Sequence, residues 1–156
     1  MSSINIPYTT SKKESLSLVD QKVIACAIEA MSGAHAPYSN FTVGSAVMMA
    51  DQSIITGNNQ ENAAYPSGLC AERVALFAAK SQTKQAIVSM AIVALNQNKE
   101  YADAFSCGNC RQVMMEYASQ QERPVKVLMG TKNGDFVILE DARYLLPFSF
   151  DSKTLR

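Results

Sequence analysis

Three cysteines and one glutamate are the residues of this chain whose types and spacing suggest chemistry. Cys70 stands two residues before Glu72, and Cys107 and Cys110 form a Cys-x-x-Cys pair further along. Cysteine thiolates bind zinc, and three of them leave the fourth tetrahedral position open to water, whereas a structural zinc normally has four protein ligands. The set therefore predicts a catalytic zinc site with Cys70, Cys107 and Cys110 as ligands.

Glu72 and Arg73 have predicted roles beside that metal. Attack of water on an amidine-like carbon requires protons to pass from water to a ring nitrogen and then to the leaving amine, and a carboxylate two residues from Cys70 can carry both. Arg73 is predicted to balance the negative charge of the thiolates. The alternatives are a first-turn glutamate that only complements its helix dipole and a solvated helix cation.

Other roles were considered for the cysteines and for the single histidine of the chain. Cys107 and Cys110 alone would fit a thioredoxin-like redox pair, but that reading leaves Cys70 and Glu72 unused. Cys26 falls inside a predicted helix, where a free cysteine is usually a small buried apolar residue. His35 is the single histidine and has no partner at ligand spacing, so a metal role is not predicted for it.

Composition restricts the kind of partner. The 156 residues fit one domain, and Lys plus Arg equals Asp plus Glu at 14 each, so no overall field attracts nucleic acid or an anionic membrane. Residues 1–10 lack the pattern of a signal peptide, and no apolar run reaches the roughly 18 residues of a membrane span. We expect a cytoplasmic protein with a polar arm at residues 1–13, a single domain at 14–156 and a small neutral ligand.

Hydrophobic periodicity predicts elements in the order α, β, β, α, β, α, β, β, α. Helices are predicted over residues 14–33, 70–80, 107–118 and 141–146, and strands over 41–49, 54–57, 88–95, 125–129 and 136–139. This order predicts an α/β fold with a central mixed sheet covered by helices. Both cysteine clusters fall at helix starts, where the helix dipole and free backbone N–H groups stabilise thiolates.

Five blocks of the sequence resemble the short-chain, homotetrameric cytidine deaminases. In order they are APYSNFTVG (36–44), NQENAAYP (59–66), CAER (70–73), CGNCRQ (107–112) and LLPFSF (145–150). The resemblance implies a three-layer α/β/α sandwich with a central mixed five-stranded sheet and one zinc per subunit. The implied activity, in pyrimidine salvage, is zinc-dependent hydrolysis of cytidine and deoxycytidine to uridine and deoxyuridine with release of ammonia.

The same resemblance implies the substrate contacts. Asn59 and Glu61 would hold the ribose hydroxyls. The backbone of Ala63 would meet the pyrimidine edge, and the Phe105 carbonyl would accept from the amino group. The Phe41 ring would face the base, and the Phe150 ring would reach the pocket of a neighbouring subunit. An amide and a carboxylate suit a diol, and an aromatic face suits a flat pyrimidine. The alternatives are a polar loop for the first pair and core packing for the rings.

Ser106 is the one visible departure from the family pattern. It stands where a proline usually precedes the Cys-x-x-Cys pair, and the Phe105 carbonyl is the group that would accept from the substrate amino group. A serine can cap a helix, so Ser106 is predicted to replace the preset turn of proline by capping the third helix. The zinc site is expected to form with serine in place of proline. The replacement instead affects where the substrate amino group is placed.

Two other functions fit part of the sequence. A deaminase of another aminopyrimidine nucleoside, such as the blasticidin S type, would share the metal site, although Asn59 and Glu61 match the ribose-binding block. A non-enzymatic zinc-stabilised interaction domain would need a fourth protein ligand, and none is apparent. A polynucleotide deaminase is disfavoured by the neutral net charge.

Overall fold

The computed structural model describes residues 1–121 and 123–155 as a mixed α/β fold. Its main elements are β1 (Thr9–Lys12), α1 (Leu18–Ala30), β2 (Thr42–Met49), β3 (Ile54–Asn58), α2 (Ala71–Gln82), β4 (Ile87–Leu95), β5 (Tyr101–Ala102), α3 (Gly108–Gln120), β6 (Lys126–Gly130) and β7 (Asp135–Leu139). The predicted helix at 141–146 is a short 3₁₀ helix, Ala142–Leu145. Among the described residues, no helix is both long and apolar enough to cross a membrane.

Within residues 1–121 and 123–155 the sheet has seven strands, so the prediction of five is wrong. The order is β1-β7-β6-β4-β2-β3, with β5 paired to β4. The sheet is mixed, as predicted: β4 and β6 are parallel and every other pair is antiparallel. The five predicted strands are all present, and the two extra strands had no sequence signal. β1 is the polar segment Thr-Thr-Ser-Lys without apolar alternation, and β5 has only two residues.

The central strand β4 separates two hydrophobic clusters. Met90, Ile92 and Ala94 belong to one cluster, whereas Ala91 and Val93 belong to the other, because successive strand residues point to opposite faces. The first cluster includes the buried faces of α2 and α3, and the second includes that of α1. Helices α2 and α3 therefore pack on the same face of β4.

Helix α1 is shorter than the predicted 14–33. Ser17 is its N-cap, and the Ser17 side chain accepts a hydrogen bond from the Asp20 backbone N–H, which satisfies one of the free donors of the first turn. Short 3₁₀ turns, Lys13–Ser15 and Met31–Gly33, precede and follow the helix. Apolar spacing continued through these turns, so periodicity alone overestimated the helix length.

A glycine sets how closely α2 approaches the sheet. A Cβ atom on Gly57 of β3 would lie 2.4 Å from the Ala75 backbone nitrogen and 2.7 Å from the Ala71 carbonyl oxygen, distances too short for any side chain. The first turn of α2 therefore rests directly on β3. This contact brings Cys70 and Glu72, at the start of α2, beside the loop that follows β3.

Candidate active site

The three predicted ligand cysteines meet at the starts of two helices. Cys70 is the N-cap of α2 and Cys107 is the N-cap of α3, while Cys110 lies in the first turn of α3. Their sulfur atoms all lie within 4.8 Å of one another. Neither helix start is capped by a side chain of the described residues. Free backbone N–H groups and the positive ends of both helix dipoles are thus directed at the thiol cluster.

The spacing of the sulfur atoms fits a tetrahedral metal. The Cys70 and Cys107 sulfurs are 3.7 Å apart, and those of Cys107 and Cys110 are 3.5 Å apart. All three thiols are free, because these sulfur–sulfur distances are far above the roughly 2.05 Å of a disulfide bond. A tetrahedral zinc with Zn–S bonds of about 2.3 Å requires sulfurs about 3.8 Å apart. The residues present therefore fit zinc.

The negative charge of the cluster, once its thiols are deprotonated, also favours a bound cation. Hydrogen bonding from the Cys110 thiol, together with the Arg73 guanidinium, lowers the pKa of Cys70 to about 5, although partial burial opposes the fall. The pKa of Cys110 is raised because its proton is held against Cys70 and because the thiol is buried. One thiolate thus forms readily without metal, whereas three adjacent thiolates require a divalent cation.

Arg73 lies against this cluster. Its Nη2 atom is 3.7 Å from the Cys70 sulfur, and this contact raises the pKa of the guanidinium. Its Nε atom is buried and has no hydrogen-bond partner among the described residues. The guanidinium therefore places positive charge next to the thiolates rather than in bulk solvent.

Glu72 is a buried carboxyl group beside the thiols. Only 4% of the residue is exposed, and it shares the buried face of α2 with Ala75 and Leu76. Burial raises the pKa of Glu72, and the negative charge of Cys70 adds to the rise, whereas a hydrogen bond from the backbone N–H of Glu72 opposes it. A buried acid with a raised pKa is suited to proton transfer near neutral pH.

A cavity of about 620 Å³ opens over this acid, a volume typical of small-molecule sites. Besides the Cys70 and Cys107 side chains, it is lined by six of the predicted residues: Phe41, Asn59, Glu61, Glu72, Arg73 and Phe105. Ala63 and Phe150 do not line it. Phe150 instead lies in a separate groove against α3, where its carbonyl accepts a hydrogen bond of 2.8 Å from Gln112 Nε2.

Asn59 has a structural role that the sequence did not predict. Its Nδ2 donates to the Phe41 carbonyl and its Oδ1 accepts from the Val43 N–H, both at 2.8 Å. The buried amide thus ties the loop after β3 to the start of β2 and fixes where the Phe41 ring enters the cavity. One N–H and one oxygen lone pair of the amide remain for a ligand.

Glu61 is held by the turn that precedes β2. Its carboxylate accepts from the Tyr38 N–H at 2.9 Å, from the Ser39 N–H at 3.3 Å and from the Ser39 hydroxyl. These bonds, that of the Ser39 hydroxyl above all, lower its pKa, so Glu61 is ionised at neutral pH. The role of Ser39 was not predicted from the sequence. The only sequence signal was the Ser-Asn pair, two residue types that are common in turns. In the structure, Asn40 has a positive φ.

The segment before α3 is fixed by Arg111. Its Nε donates to the Ser106 carbonyl at 2.8 Å, and its Nη1 is 3.4 Å from the Leu145 carbonyl. The prediction that Ser106 caps α3 is wrong, because Cys107 is the N-cap and, in the part of the chain that the structure describes, no side chain makes a capping hydrogen bond there. The Ser106 hydroxyl is buried and has no hydrogen-bond partner among the described residues.

Comparison with known proteins agrees with this geometry. A family model described as the cytidine and deoxycytidylate deaminase zinc-binding region matches residues 18–125. A cytidine deaminase of Halalkalibacterium halodurans is 40% identical over 135 residues, which are 86% of this chain and 96% of the relative. One of Sporosarcina psychrophila is 35% identical over 86% of this chain and 93% of its own length.

A solved structure extends the agreement to the fold. The crystal structure of cytidine deaminase from Burkholderia pseudomallei superimposes with a TM-score of 0.73 at 35% identity, and the match covers 83% of this chain and 98% of that chain. The thiol cluster, the buried acid and the cavity thus occur in a chain whose sequence and fold match the same group of proteins. The chain belongs to the cytidine and deoxycytidylate deaminase family, whose zinc-binding region it carries.

Proposed function

We propose that this protein is a zinc-dependent cytidine deaminase, which hydrolyses cytidine and deoxycytidine to uridine, deoxyuridine and ammonia. The observation that carries the proposal is the buried Glu72 carboxyl beside three convergent thiols at the base of a nucleoside-sized cavity. Cys70, Cys107 and Cys110 would hold one zinc per chain. When bound, zinc supplies a Lewis acid that lowers the pKa of a coordinated water, so that a nucleophile is available at neutral pH.

Glu72 is the proposed proton carrier. Its carboxylate accepts a proton from the attacking water and delivers it to N3 of the pyrimidine as the new C4–O bond forms. It then moves the second proton to the exocyclic nitrogen, the C4–N bond breaks, and ammonia leaves with C4 as a carbonyl. One water is consumed for each ammonia released, and Glu72 ends the cycle ionised.

The loops on either side of the cavity are proposed to orient the base. The Phe41 ring, which Asn59 fixes through its backbone, would contact the pyrimidine face. The Phe105 carbonyl would accept from the amino group, and the backbone of Ala63 would meet the pyrimidine edge. The Arg73 guanidinium would offset the charge of the thiolates.

We predict that Glu61→Gln will lower kcat/KM for cytidine by about 10- to 100-fold, because an ionised acceptor to a ribose hydroxyl would be lost. The proposed role of Asn59 and Glu61 is to hold this diol. Steady-state assays with cytidine and 2′,3′-dideoxycytidine measure the effect, which should be much smaller for the dideoxy substrate. Glu100→Gln is the matched control, because Glu100 also accepts from a neighbour, Asn96, but lies in a loop that does not line the cavity. An equal loss on both substrates would mean that Glu61 serves only to hold Tyr38 and Ser39.

A substrate panel tests the proposed reaction. Cytidine, deoxycytidine and blasticidin S are incubated with the zinc-loaded protein, and loss of the aminopyrimidine absorbance is followed together with ammonia. Turnover of the two cytosine nucleosides supports the proposal. Turnover of blasticidin S alone would indicate the related activity, and no turnover of any substrate by a zinc-loaded chain would favour an interaction domain.

We also propose that the protein is a homotetramer with shared active sites. Phe150 is 58% exposed and lies outside the cavity of its own chain, as expected of a ring that completes a neighbouring site. Several other large apolar side chains are exposed, among them Phe77, Phe105 and Phe148. Sedimentation velocity measures the assembly state, and a species of 17.0 kDa at micromolar concentration would contradict the proposal.

The remaining proposals concern architecture and setting. The division of β4 between two core clusters supports a three-layer α/β/α arrangement. We propose one domain over residues 14–156, preceded by an arm at 1–13 whose end contributes β1 to the sheet edge. A site of three free thiols favours a reducing, cytoplasmic setting, where the reaction would serve pyrimidine salvage.

A further inference from the structure

Two hydrogen bonds bracket the Phe105 carbonyl, the group proposed to accept from the substrate amino group. On one side the Ala104 N–H donates to the Gly130 carbonyl at 2.8 Å, and on the other the Arg111 Nε donates to the Ser106 carbonyl at 2.8 Å. The Phe105 carbonyl itself accepts no hydrogen bond from the described residues, so it is available to a ligand. Its direction therefore depends on how firmly the two neighbouring contacts hold the chain.

Serine at position 106 leaves one side of this bracket without the restraint that proline would supply. Proline fixes its own φ and restricts the residue before it, which here is Phe105. The Ser106 hydroxyl is no substitute, because it has no hydrogen-bond partner among the described residues, and the Ser106 N–H has none there either. Within that part of the chain, the hydrogen bond that restrains Ser106 is the one its carbonyl accepts from Arg111.

Arg111 is well placed to provide this restraint. It lies in the first turn of α3, where its N–H donates to the Cys107 carbonyl at 3.0 Å, so its side chain projects from the same helix start as Cys107 and Cys110. Its Nη1 is 3.4 Å from the carbonyl of Leu145, at the end of the 3₁₀ turn Ala142–Leu145. A planar guanidinium has several donors in fixed directions and can bridge two carbonyls, whereas a lysine ammonium is a single point. The segment before α3 is thereby tied to a turn near the C-terminal end of the chain.

We infer that Arg111 is a positioning residue whose bond to the Ser106 carbonyl provides the restraint that proline would give, and so directs the Phe105 carbonyl and Cys107 into the site. The inference rests on the proposed function. It predicts that Arg111 matters more with serine at position 106 than with proline, because the two restraints act on the same segment. Ser106→Pro suits this comparison, since the ring replaces an N–H and a hydroxyl that make no hydrogen bond to the described residues.

The kinetic test is a double-variant cycle of Arg111→Met and Ser106→Pro in the zinc-loaded protein. Arg111→Met is expected to lower kcat/KM for cytidine by about 10-fold, because a hydrogen bond from a charged group is lost. In the Ser106→Pro background the same substitution should cost less than about threefold, since the ring restrains the chain instead. If Arg111 served only to hold the turn at Leu145, the loss would be equal in both backgrounds, and that result would overturn the inference.

A second measurement reads the restraint without activity. The rate of zinc transfer to an excess of a chelating dye is followed for the four proteins of the cycle. Arg111→Met should release zinc about 10-fold faster, the low end of the effect of losing a group that supports a metal ligand, and Ser106→Pro should remove most of this difference. Unchanged zinc release in Arg111→Met would overturn the inference even in an active deaminase. The predicted pattern in a chain that does not deaminate cytidine would support the restraint and place the failure in the proposed function.

Arg143→Met is the matched control for loss of a guanidinium. Arg143 lies on the same 3₁₀ turn as Leu145, but its Nε donates to the Asp141 carboxylate at 2.7 Å and the residue does not line the cavity. Its kcat/KM and zinc release should stay near wild type, and changes equal to those of Arg111→Met would overturn the inference. If Arg111→Met does not fold, Arg111→Lys replaces it, because lysine keeps the charge but loses the paired donors. A smaller loss with the same dependence on position 106 is then expected, and a loss independent of that position would overturn the inference.

Discussion

Glu72→Gln is expected to lower kcat for cytidine by about 100- to 10,000-fold, the range that a positioned general acid–base group contributes. Glutamine has nearly the same shape as glutamate but cannot accept the proton of water or deliver it to N3. The three thiols are untouched, so zinc content should remain at the wild-type value. Steady-state kinetics and elemental analysis of the same preparation measure both quantities.

The stability of this variant separates a catalytic loss from a folding loss. Because burial raises the pKa of Glu72, ionisation in the zinc-free fold costs stability as pH rises above the ordinary value of 4.5. Glu72→Gln should therefore be at least as stable as the zinc-free wild type at neutral pH. Glu29→Gln, at an exposed position of α1, is the control for the substitution itself. A Glu72→Gln enzyme with near wild-type kcat would refute the proposed role.

Cys107→Ala is expected to abolish zinc binding and to lower the deaminase activity by more than about 100-fold. Loss of a group that only supports a metal ligand costs about 10- to 100-fold in affinity or activity, so loss of a ligand should cost more. Two thiols would remain, and the Cys107 sulfur lies within 3.7 Å of both. Elemental analysis after dialysis measures the metal, and the cytidine assay measures the activity.

Cys26→Ala is the matched control for loss of a thiol. Cys26 is a free cysteine on α1 that packs against the second hydrophobic cluster, away from the three convergent thiols. This variant should keep its zinc and its activity. If Cys107→Ala retained a full equivalent of zinc, the assignment of Cys107 as a ligand would be wrong.

Much of the fold was predictable because apolar periodicity records which face of an element is buried. The five central strands and three main helices were predicted from this pattern, and alternation along β4 matches its two core clusters. β1 was missed because its four polar residues are positioned by pairing with β7, a contact between distant parts of the chain. The length of α1 depends on the Ser17 cap, which periodicity does not record.

The candidate site was predictable where ligand chemistry is local in sequence. The zinc prediction is confirmed by the convergent thiols and the family match, because cysteine spacing and helix starts together determine that cluster. Asn59 is hydrogen-bonded to β2, and the Glu61 carboxylate is hydrogen-bonded to Ser39. Both contacts join residues that are far apart in sequence, so no local pattern reveals them. The catalytic and substrate-binding roles of individual residues remain predictions.

The central claim, a zinc-dependent deamination of cytidine, is tested most directly by removal and return of the metal. The protein is assayed for uridine and ammonia as isolated, after chelation and dialysis, and after readdition of one equivalent of zinc. We predict equal amounts of uridine and ammonia from the loaded protein, loss of both on chelation and recovery with zinc. Unchanged cytidine with fully loaded protein, or full activity in protein shown to contain no metal, would contradict the claim.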